Sequence, residues 1–380
     1  MKVRTLSTAL ALMTLFSPMT VLGKQGLIKK SYRPPNYETP IEYLNDIFTP
    51  NDKFFVRYHL AAIPVINAQE WKLQIGGDSA EKPFVLTLDQ LKHDFEQVEI
   101  VALAYCSGNR RGLFQPHVPG VQWSYGAMGN ARWKGVRLRD ILKRAGIKGD
   151  AVEVVFDGAD GPVSSKTPDF VKSLPVDKAV DENTIIAYEM NGEPLPQLQG
   201  YPARLVVPGW TATYWMKHLI SIQAVSKPFD GFWMKKAYRI PKNRFPGVEG
   251  NWTSQATEEN TPITEIIVNS LITNIHEGQK FSLGKAVQLQ GMAWDGGHGI
   301  KRVEISTDGG HTWSLSDLGK DYGRFSWRQF KFPFQPGKPG KYVIIAKSTN
   351  GVGQTQSFEL IPNPAGYHHN QVQQINVSVE

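Results

Sequence analysis

Cysteine is nearly absent from this 380-residue chain, in which Cys106 is the only copy. A lone thiol cannot form an intrachain disulfide, and the chain contains no Cys-x-x-Cys-His motif for attaching haem. Long apolar runs are missing beyond the N-terminus, so no later segment predicts a membrane-spanning helix. The formal net charge is +7, but the basic residues are not clustered as nucleic-acid binding would require. This balance is compatible with a small anionic ligand.

The first 23 residues have the pattern of an export signal rather than of a folded segment. Lys2 and Arg4 give it a positive start, an apolar stretch runs from Leu6 to Phe16, and small residues end it at Gly23. The apolar stretch is too short, and too often interrupted, to span a bilayer. We therefore expect cleavage near Gly23 and a soluble exported protein, most simply a periplasmic one.

Strands and helices alternate irregularly through residues 24–240, which predicts an α+β domain. The Pro-rich residues 24–50 predict an extended arm, and residues 54–60 a strand. Another strand, at residues 98–104, leads directly into Cys106. The thiol is therefore expected at the end of a strand, where functional sites often lie.

Composition changes near residue 240. Residues 241–262 are polar and turn-rich, which predicts a linker. Beyond them we predict short strands separated by Gly-rich turns and no helix, with strands at 265–268, 286–293, 300–307, 312–315, 327–332 and 342–347. This spacing is typical of a small antiparallel β-sandwich of immunoglobulin-like type over residues 263–380.

Three segments combine cationic, aromatic and thiol side chains in an unusual way. The first carries Arg57 and His59, and the second is the run Tyr105-Cys106-Ser107-Gly108-Asn109-Arg110-Arg111. The third runs from Gly200 to Tyr238 and is rich in Trp, Lys and Arg. A thiolate among arginines can act as a nucleophile or as a soft metal ligand.

Taken in order, these segments resemble the sulfite oxidase family of mononuclear molybdenum enzymes, in particular the molybdenum subunits of its bacterial sulfite:cytochrome c oxidoreductases. The resemblance covers almost all of the chain after residue 23 and includes the C-terminal runs 291–295 and 302–313. It implies a molybdopterin-binding α+β domain at residues 24–240 and, after the linker, an immunoglobulin-like dimerisation domain at residues 263–380.

The resemblance also implies roles for individual residues. Cys106 would be the thiolate ligand of molybdenum, with the other equatorial sulfurs coming from the dithiolene of a pyranopterin. Arg57, Arg111 and Tyr238 match substrate-pocket residues, and guanidinium forks suit a small oxyanion. The implied cofactor-binding residues are Phe55, Val56, Arg57, Tyr58, His59, Asp160, Gln199, Arg204, Trp215, Met216 and Lys217. Gln199 stands where related enzymes carry a histidine.

The activity implied by the resemblance is molybdenum-dependent oxidation of sulfite to sulfate, with electrons passed to a c-type cytochrome. Because the chain has no haem-attachment motif, that acceptor is expected on another polypeptide, and either a homodimer or a complex with a haem subunit is compatible. Other candidates are a sulfane dehydrogenase, a methionine sulfoxide reductase and a non-catalytic exported binding protein. The reductase lacks the C-terminal β-domain, which counts against it.

Overall fold

The computed structural model describes residues 26–242 and 259–380. The predicted export signal at residues 1–23 lies outside these ranges, and so does most of the predicted linker, residues 243–258. No helix within the two described ranges is long and apolar enough to cross a membrane.

Residues 26–242 mix strands with short helices. The strands are β1 (Ile28–Ser31), β2 (Asn36–Glu38), β3 (Val56–Arg57), β4 (Lys72–Gly76), β5 (Phe84–Thr87), β6 (Gln97–Tyr105), β7 (Met128–Arg137), β8 (Glu153–Gly158), β9 (Lys172–Pro175), β10 (Ile185–Met190), β11 (Glu193–Pro194), β12 (Arg204–Val206), β13 (Leu219–Val225) and β14 (Arg239–Pro241). The helices are α1 (Leu88–His93), α2 (Leu138–Ala145), α3 (Val176–Ala179) and α4 (Phe232–Lys235). This mixture confirms the predicted α+β class.

Two five-stranded sheets form the body of this part. In one, β10 pairs antiparallel with β7, β11 and β12, and β6 extends the sheet beyond β7. In the other the order is β5-β4-β13-β8-β9, and only the β4–β13 pair is parallel. β6 begins half-exposed and ends fully buried. The strand therefore enters the protein interior as it approaches Cys106.

The predicted extended arm is wrong for residues 28–38. β1 and β2 pair antiparallel, and β2 continues the ladder onto β3, so this segment is part of a sheet. The strand predicted over residues 54–60 shrinks to Val56–Arg57, with Asn36 opposite Arg57. The Pro-rich composition predicted a segment that makes no hydrogen bonds to a neighbouring strand. Strand pairing depends on the partner strand, however, and local composition does not reveal that partner.

The start of α1 and the end of α2 are each set by residues close to them in sequence. Thr87 caps α1, and its hydroxyl accepts from the Gln90 amide while the Gln90 side chain accepts from the Thr87 amide, which is a complete capping box. α2 ends at Gly146, whose φ of +66° is the left-handed conformation expected of a glycine stop.

Residues 259–380 form a β-sandwich, and no helix occurs among the described residues of this part. Its strands are β15 (Asn260–Pro262), β16 (Asn269–Ile272), β17 (Gln279–Phe281), β18 (Val287–Trp294), β19 (Ile300–Ser306), β20 (Ser314–Leu315), β21 (Asp317–Leu318), β22 (Arg328–Phe334), β23 (Gly340–Asn350) and β24 (Gln374–Val379). One sheet has the order β16-β18-β22-β21 and the other β17-β24-β23-β19-β20, which confirms the immunoglobulin-like architecture.

One predicted strand of the sandwich is displaced. The apolar run at residues 265–268 predicted a strand, but the strand lies at Asn269–Ile272. β17 and β24 were not predicted at all, and they pair with each other in parallel. Asn260–Pro262, placed within the linker, instead pairs with β14. The domain boundaries themselves remain predictions.

The two parts are joined by a shared apolar cluster next to the cysteine loop. Leu103 and Tyr105 of β6 pack there with Trp294 and Trp327 of the sandwich, all 1% exposed or less. The backbone amide of Leu103 donates to the carbonyl of Phe325 at 2.9 Å. The strand that leads into Cys106 is therefore held by both parts of the chain.

Candidate active site

Cys106 follows the last residue of β6 and is 7% exposed. Its amide donates to the Ala127 carbonyl at 3.0 Å, and its carbonyl accepts from the Asn109 amide at 2.9 Å. The Asn109 side chain then bonds to the backbone of Tyr125 and of Ala127. These contacts fold the cysteine loop into a compact turn that fixes the position of the thiol.

An inner cavity, which holds about 640 Å³ of empty space including its mouth, opens beside this thiol. It brings together most of the residues predicted from the sequence: Phe55, Arg57, Tyr58, His59, Cys106, Asp160, Gln199, Arg204, Trp215, Met216, Lys217 and Tyr238. Val56 is buried but lines neither this cavity nor the vestibule outside it, so the structure does not place its side chain in the site.

Arg204 is a buried cation in the wall of the inner cavity, 3% exposed. It donates from Nη1 to the Gln199 carbonyl at 3.0 Å and from Nη2 to the Trp215 carbonyl at 3.2 Å. Its Nε has no partner among the described residues. Burial lowers the pKa of Arg204 to about 10, so the side chain remains charged near neutral pH.

Lys217 is the second cation of the cavity wall. Its Nζ donates to the carbonyls of Leu198 at 2.8 Å and of Arg57 at 3.2 Å, and it lies 3.8 Å from the ring centre of Tyr58. Burial, followed by the charge of Arg204, lowers the pKa of Lys217 well below its usual value. Among the described residues Asp160 is the one carboxylate lining this cavity, and burial raises its pKa to about 6.

Gln199 hydrogen-bonds both to the backbone of a neighbouring segment and to the side chain of Arg204. Its side-chain amide donates to the Phe55 carbonyl at 2.9 Å, and its side-chain oxygen accepts from Arg204 at 3.4 Å. Gln199 therefore links the segment before Arg57 to the guanidinium of Arg204 in β12. A histidine at this position would also face the cavity.

His218 supports the cavity from behind. Its Nδ1 donates to the Tyr201 carbonyl at 2.8 Å, which leaves Nε2 to accept from the Tyr58 hydroxyl at 2.7 Å. His218 is fully buried, and burial lowers its pKa to about 4. Two adjacent residues such as Lys217 and His218 would normally be exposed to solvent. Here Lys217 lines the cavity, and His218 supports the cavity wall through its hydrogen bond to Tyr58.

A wider vestibule of about 1960 Å³, open to solvent, lies outside the inner cavity. Arg57, His59 and Tyr238 line both spaces, and Arg111 lines the vestibule only. Its other cationic residues are Lys30, Arg33 and Lys236, and within residues 26–242 and 259–380 no Asp or Glu belongs to its lining. The vestibule is therefore a positively charged entrance suited to an anion.

Arg111 is fixed by the C-terminal part of the chain. Its Nε donates to the carbonyl of Ala365 at 2.7 Å, and its Nη1 to that of Val121 at 3.2 Å. The guanidinium lies across Gly108, where an added Cβ would be 2.5 Å from Nη2. Gly108 is thus required for the close approach of this side chain.

Tyr238 and His59 meet at the boundary of the two spaces. The Tyr238 hydroxyl hydrogen-bonds to Nε2 of His59, and the imidazole stacks on Phe170 with ring centres 3.8 Å apart. Burial, then the charges of Arg57, Lys172 and Lys217, lowers the pKa of His59 well below its usual value. Burial raises the pKa of Tyr238. At neutral pH the pair is therefore a neutral imidazole and a protonated phenol.

The inner cavity fits the cofactor that the sequence resemblance implies. Ser107, Thr213 and Arg204 line it, and Ser107 Oγ, Thr213 Oγ1 and Arg204 Nε are buried polar atoms without a partner in the described ranges. Such atoms are expected to bond a ligand. Nowhere in those ranges do three His, Cys, Asp or Glu side chains come together as a metal site. A metal held by Cys106 and by sulfurs of a pterin needs no such cluster.

Several residues around the site were not predicted from the sequence. Tyr367 stacks on Tyr238 with ring centres 5.5 Å apart, and the amide of His368 donates to the Ser107 carbonyl at 3.2 Å. His368 and His369, although close to the end of the sequence, are only 5% and 3% exposed. No local signal marks these residues, because their partners lie more than a hundred positions away in sequence.

Comparisons with known proteins agree with this geometry. The model of the family described as "Oxidoreductase molybdopterin binding domain" matches residues 59–233, and that of "Mo-co oxidoreductase dimerisation domain" matches residues 260–378. The mitochondrial sulfite oxidase of Drosophila melanogaster is 33% identical over 94% of this chain, and the chain spans 64% of that protein's length. The sulfite oxidase of Gallus gallus is 32% identical, over 89% of this chain and 74% of that protein.

A solved structure shows the same fold. The sulfane dehydrogenase SoxCD from Paracoccus pantotrophus superposes with a TM-score of 0.77 at 23% identity, covering 99% of this chain and 96% of that chain. The two family models define the class of protein, an oxidoreductase molybdopterin-binding domain followed by a dimerisation domain. The chain belongs to the sulfite oxidase family, and its cofactor is a molybdenum–molybdopterin group.

Proposed function

We propose that this protein oxidises sulfite to sulfate at the Cys106 site and passes the electrons to a separate c-type cytochrome. The observation that carries the proposal is the shared wall of the two spaces. Arg57, His59 and Tyr238 line both the inner cavity that holds Cys106 and the cationic vestibule that holds Arg111. A small anion that enters the vestibule reaches guanidinium and phenol donors beside the thiol that would bind the metal.

The cofactor, when bound, supplies oxygen-atom transfer and takes up two electrons. Cys106 would hold the metal, while Arg204, Lys217 and Asp160 would hold the pterin and its phosphate. A phosphate would satisfy the unpaired Nε of Arg204 and would compensate the buried charges of Arg204 and Lys217.

The chain's own contribution is to bind and orient the anion. Arg57 and Arg111 neutralise its charge through charge-assisted hydrogen bonds. Arg57 donates from Nη1 to Asn36 Oδ1 at 3.1 Å and also interacts with the Tyr238 hydroxyl. If neutral His59 donates from Nε2 to Tyr238, the hydroxyl proton of Tyr238 can point at a sulfite oxygen. These groups are fixed before the substrate arrives, which is how a preorganised site stabilises developing charge.

The remaining parts of the proposal concern partners and location. The sandwich would mediate a homodimer or a complex with a haem subunit. The electron acceptor would be another polypeptide, since this chain has one cysteine and no Cys-x-x-Cys-His motif. The pattern of the first 23 residues supports export, most simply to the periplasm.

The test combines metal analysis with a substrate panel. The purified protein is expected to contain about one molybdenum per chain and to reduce cytochrome c with sulfite as donor. Turnover with a sulfane sulfur donor but not with sulfite would favour sulfane dehydrogenase, and reduction of methionine sulfoxide would favour the reductase. Absence of molybdenum and of all turnover would support a binding protein and overturn the proposal.

A further inference from the structure

Lys172, the first residue of β9, is a buried cation without a carboxylate partner. Its side chain is 1% exposed, and no ion pair joins it to any acidic group in the parts of the chain that the structure describes. Burying an unpaired ammonium is costly, so a lysine retained at such a position calls for an explanation. It lines neither the inner cavity nor the vestibule. Direct contact with the substrate or the cofactor is therefore excluded as that explanation.

The contacts of Lys172 converge on the segment that carries Tyr238. Its Nζ donates to the carbonyl of Trp233, in α4, at 2.8 Å. It also lies 4.5 Å from the ring centre of Tyr214 and 5.3 Å from that of Tyr238. Both are cation–π distances. The bond to Trp233 and the contact with Tyr238 join β9 to the two ends of the segment from α4 to Tyr238, and Tyr214, between β12 and β13, packs on the same ammonium.

Tyr238 needs such support. Its φ of +55° lies in the left-handed region, which is uncommon for a residue with a Cβ and persists only where surrounding contacts hold it. The helix before it, α4, is four residues long and contributes little rigidity. The hydroxyl of Tyr238 nevertheless meets Nε2 of His59 at the boundary of the two spaces.

The charge of Lys172 also acts on His59. The cationic groups that lower the pKa of His59 are Arg57, Lys172 and Lys217, after burial itself. Lys172 in turn has its pKa lowered to about 7 by burial and by the nearby charge of Arg239. Below that pH most Lys172 side chains are protonated, and their charge opposes protonation of the imidazole.

We propose that Lys172 is a positioning residue, which holds the ring of Tyr238 against His59 while touching neither substrate nor cofactor. Its effect on turnover rests on the proposed function, but its effect on the conformation of the Tyr238 segment does not. Lys172 therefore differs from a lysine that only stabilises the fold, because it sets the conformation of the Tyr238 segment.

The test compares Lys172→Met, which keeps the length and removes the charge, with a matched control, Lys178→Met. Lys178 is also largely buried, but it has a carboxylate partner, Asp181, at 3.4 Å. Replacing an unpaired buried charge by an apolar side chain is often neutral or stabilising. We expect Lys172→Met to keep or raise the thermal midpoint of the holoenzyme, whereas Lys178→Met lowers it.

Two readouts then report on positioning. Hydrogen–deuterium exchange of the peptide covering residues 232–241 should increase several-fold in Lys172→Met and stay unchanged in Lys178→Met. In sulfite turnover, kcat/KM should fall about tenfold, and the acid limit of the pH profile should move upward because His59 binds a proton more readily. In a Tyr238→Phe background, Lys172→Met should cost much less, since both changes act through the same hydroxyl.

Unchanged exchange in the 232–241 peptide would overturn the proposal whether or not sulfite is the substrate. If the double variant lost kcat/KM by the product of the two separate losses, Lys172 would act independently of Tyr238. That result would also overturn the proposal. Absence of sulfite turnover in the unmodified enzyme would refute the proposed function alone, and the exchange experiment would still decide the role of Lys172.

Discussion

The ring of Tyr367 stacks on that of Tyr238, with centres 5.5 Å apart and planes 17° apart. The two residues belong to the two parts of the chain, and the guanidinium of Arg111 lies 5.1 Å from the ring centre of Tyr367. Tyr367 thus touches two of the three residues proposed to bind substrate. The segment before β24 is therefore part of the active-site wall, not only of the sandwich.

Replacing Tyr367 by Leu should raise the KM for sulfite about tenfold, because stacking and cation–π contacts are each worth about 1 kcal/mol. Steady-state kinetics would measure this effect. Tyr367→Phe is the matched control and should retain most of the affinity, since it keeps the ring. Equal losses in both variants would show that the hydroxyl, not the stacking, matters.

Arg57→Gln and Arg111→Gln should each raise the KM for sulfite by about 10- to 100-fold, since a hydrogen bond to a charged group contributes about 1.5–3 kcal/mol. The exposed Arg139, whose side chain is 42% accessible, provides a control that should leave KM unchanged. The measurement is initial rate against sulfite concentration at fixed ionic strength. A kcat/KM equal to that of the unmodified enzyme would remove the tested arginine from the pocket.

Much of this site could be predicted from the sequence because its motifs are local. The Cys106 run and the Trp215-Met216-Lys217 run each bring several cavity residues within a short stretch. The contacts that orient them are not local. Arg111 is held by a carbonyl 254 positions away, and Asn36 lies opposite Arg57 only because β2 pairs with β3. Such pairings have no signature in either partner's neighbourhood.

The fold shows the same division. The capping box at Thr87 was predictable because its atoms lie within one turn of helix. The displaced strand β16 was not, because Asn269 and Ser270 are polar residues that are fully buried. Ser270 donates to the Gln356 side chain, and Asn269 donates to the His369 carbonyl at 2.8 Å. Buried polar side chains that bond to distant partners hold the strand at β16, although the apolar pattern predicted it at residues 265–268.

Cys106→Ser should give a folded protein with negligible turnover, because the hydroxyl is nearly isosteric with the thiol but is a poor ligand for a soft metal site. Circular dichroism would check the fold, and elemental analysis would check molybdenum in the same sample. Ser165→Ala, at an exposed position that lines neither space, is the control and should retain molybdenum and turnover. Full activity in Cys106→Ser would show that the metal has another ligand.

The last prediction concerns stability against pH. Burial lowers the pKa of His218 from 6.5 to about 4 on folding, and the charges of Lys217 and Arg204 add to this shift, while the hydrogen bond to the Tyr201 carbonyl partly opposes it. Below pH 6.5 the unfolded chain binds a proton that the folded chain resists until about pH 4. The stabilisation by neutral His218 is therefore complete above pH 6.5 and is lost as the pH falls, by about 3 kcal/mol in total.

His218→Gln should consequently lower the free energy of unfolding at pH 7.5 and flatten its dependence on pH between about 6.5 and 4. Urea unfolding of the holoenzyme at a series of pH values would measure both effects. His93→Gln is the control, because that side chain is 68% exposed and meets water in the folded and unfolded states alike. A His218→Gln profile that runs parallel to that of the unmodified protein would show that protonation of another group weakens the fold in acid.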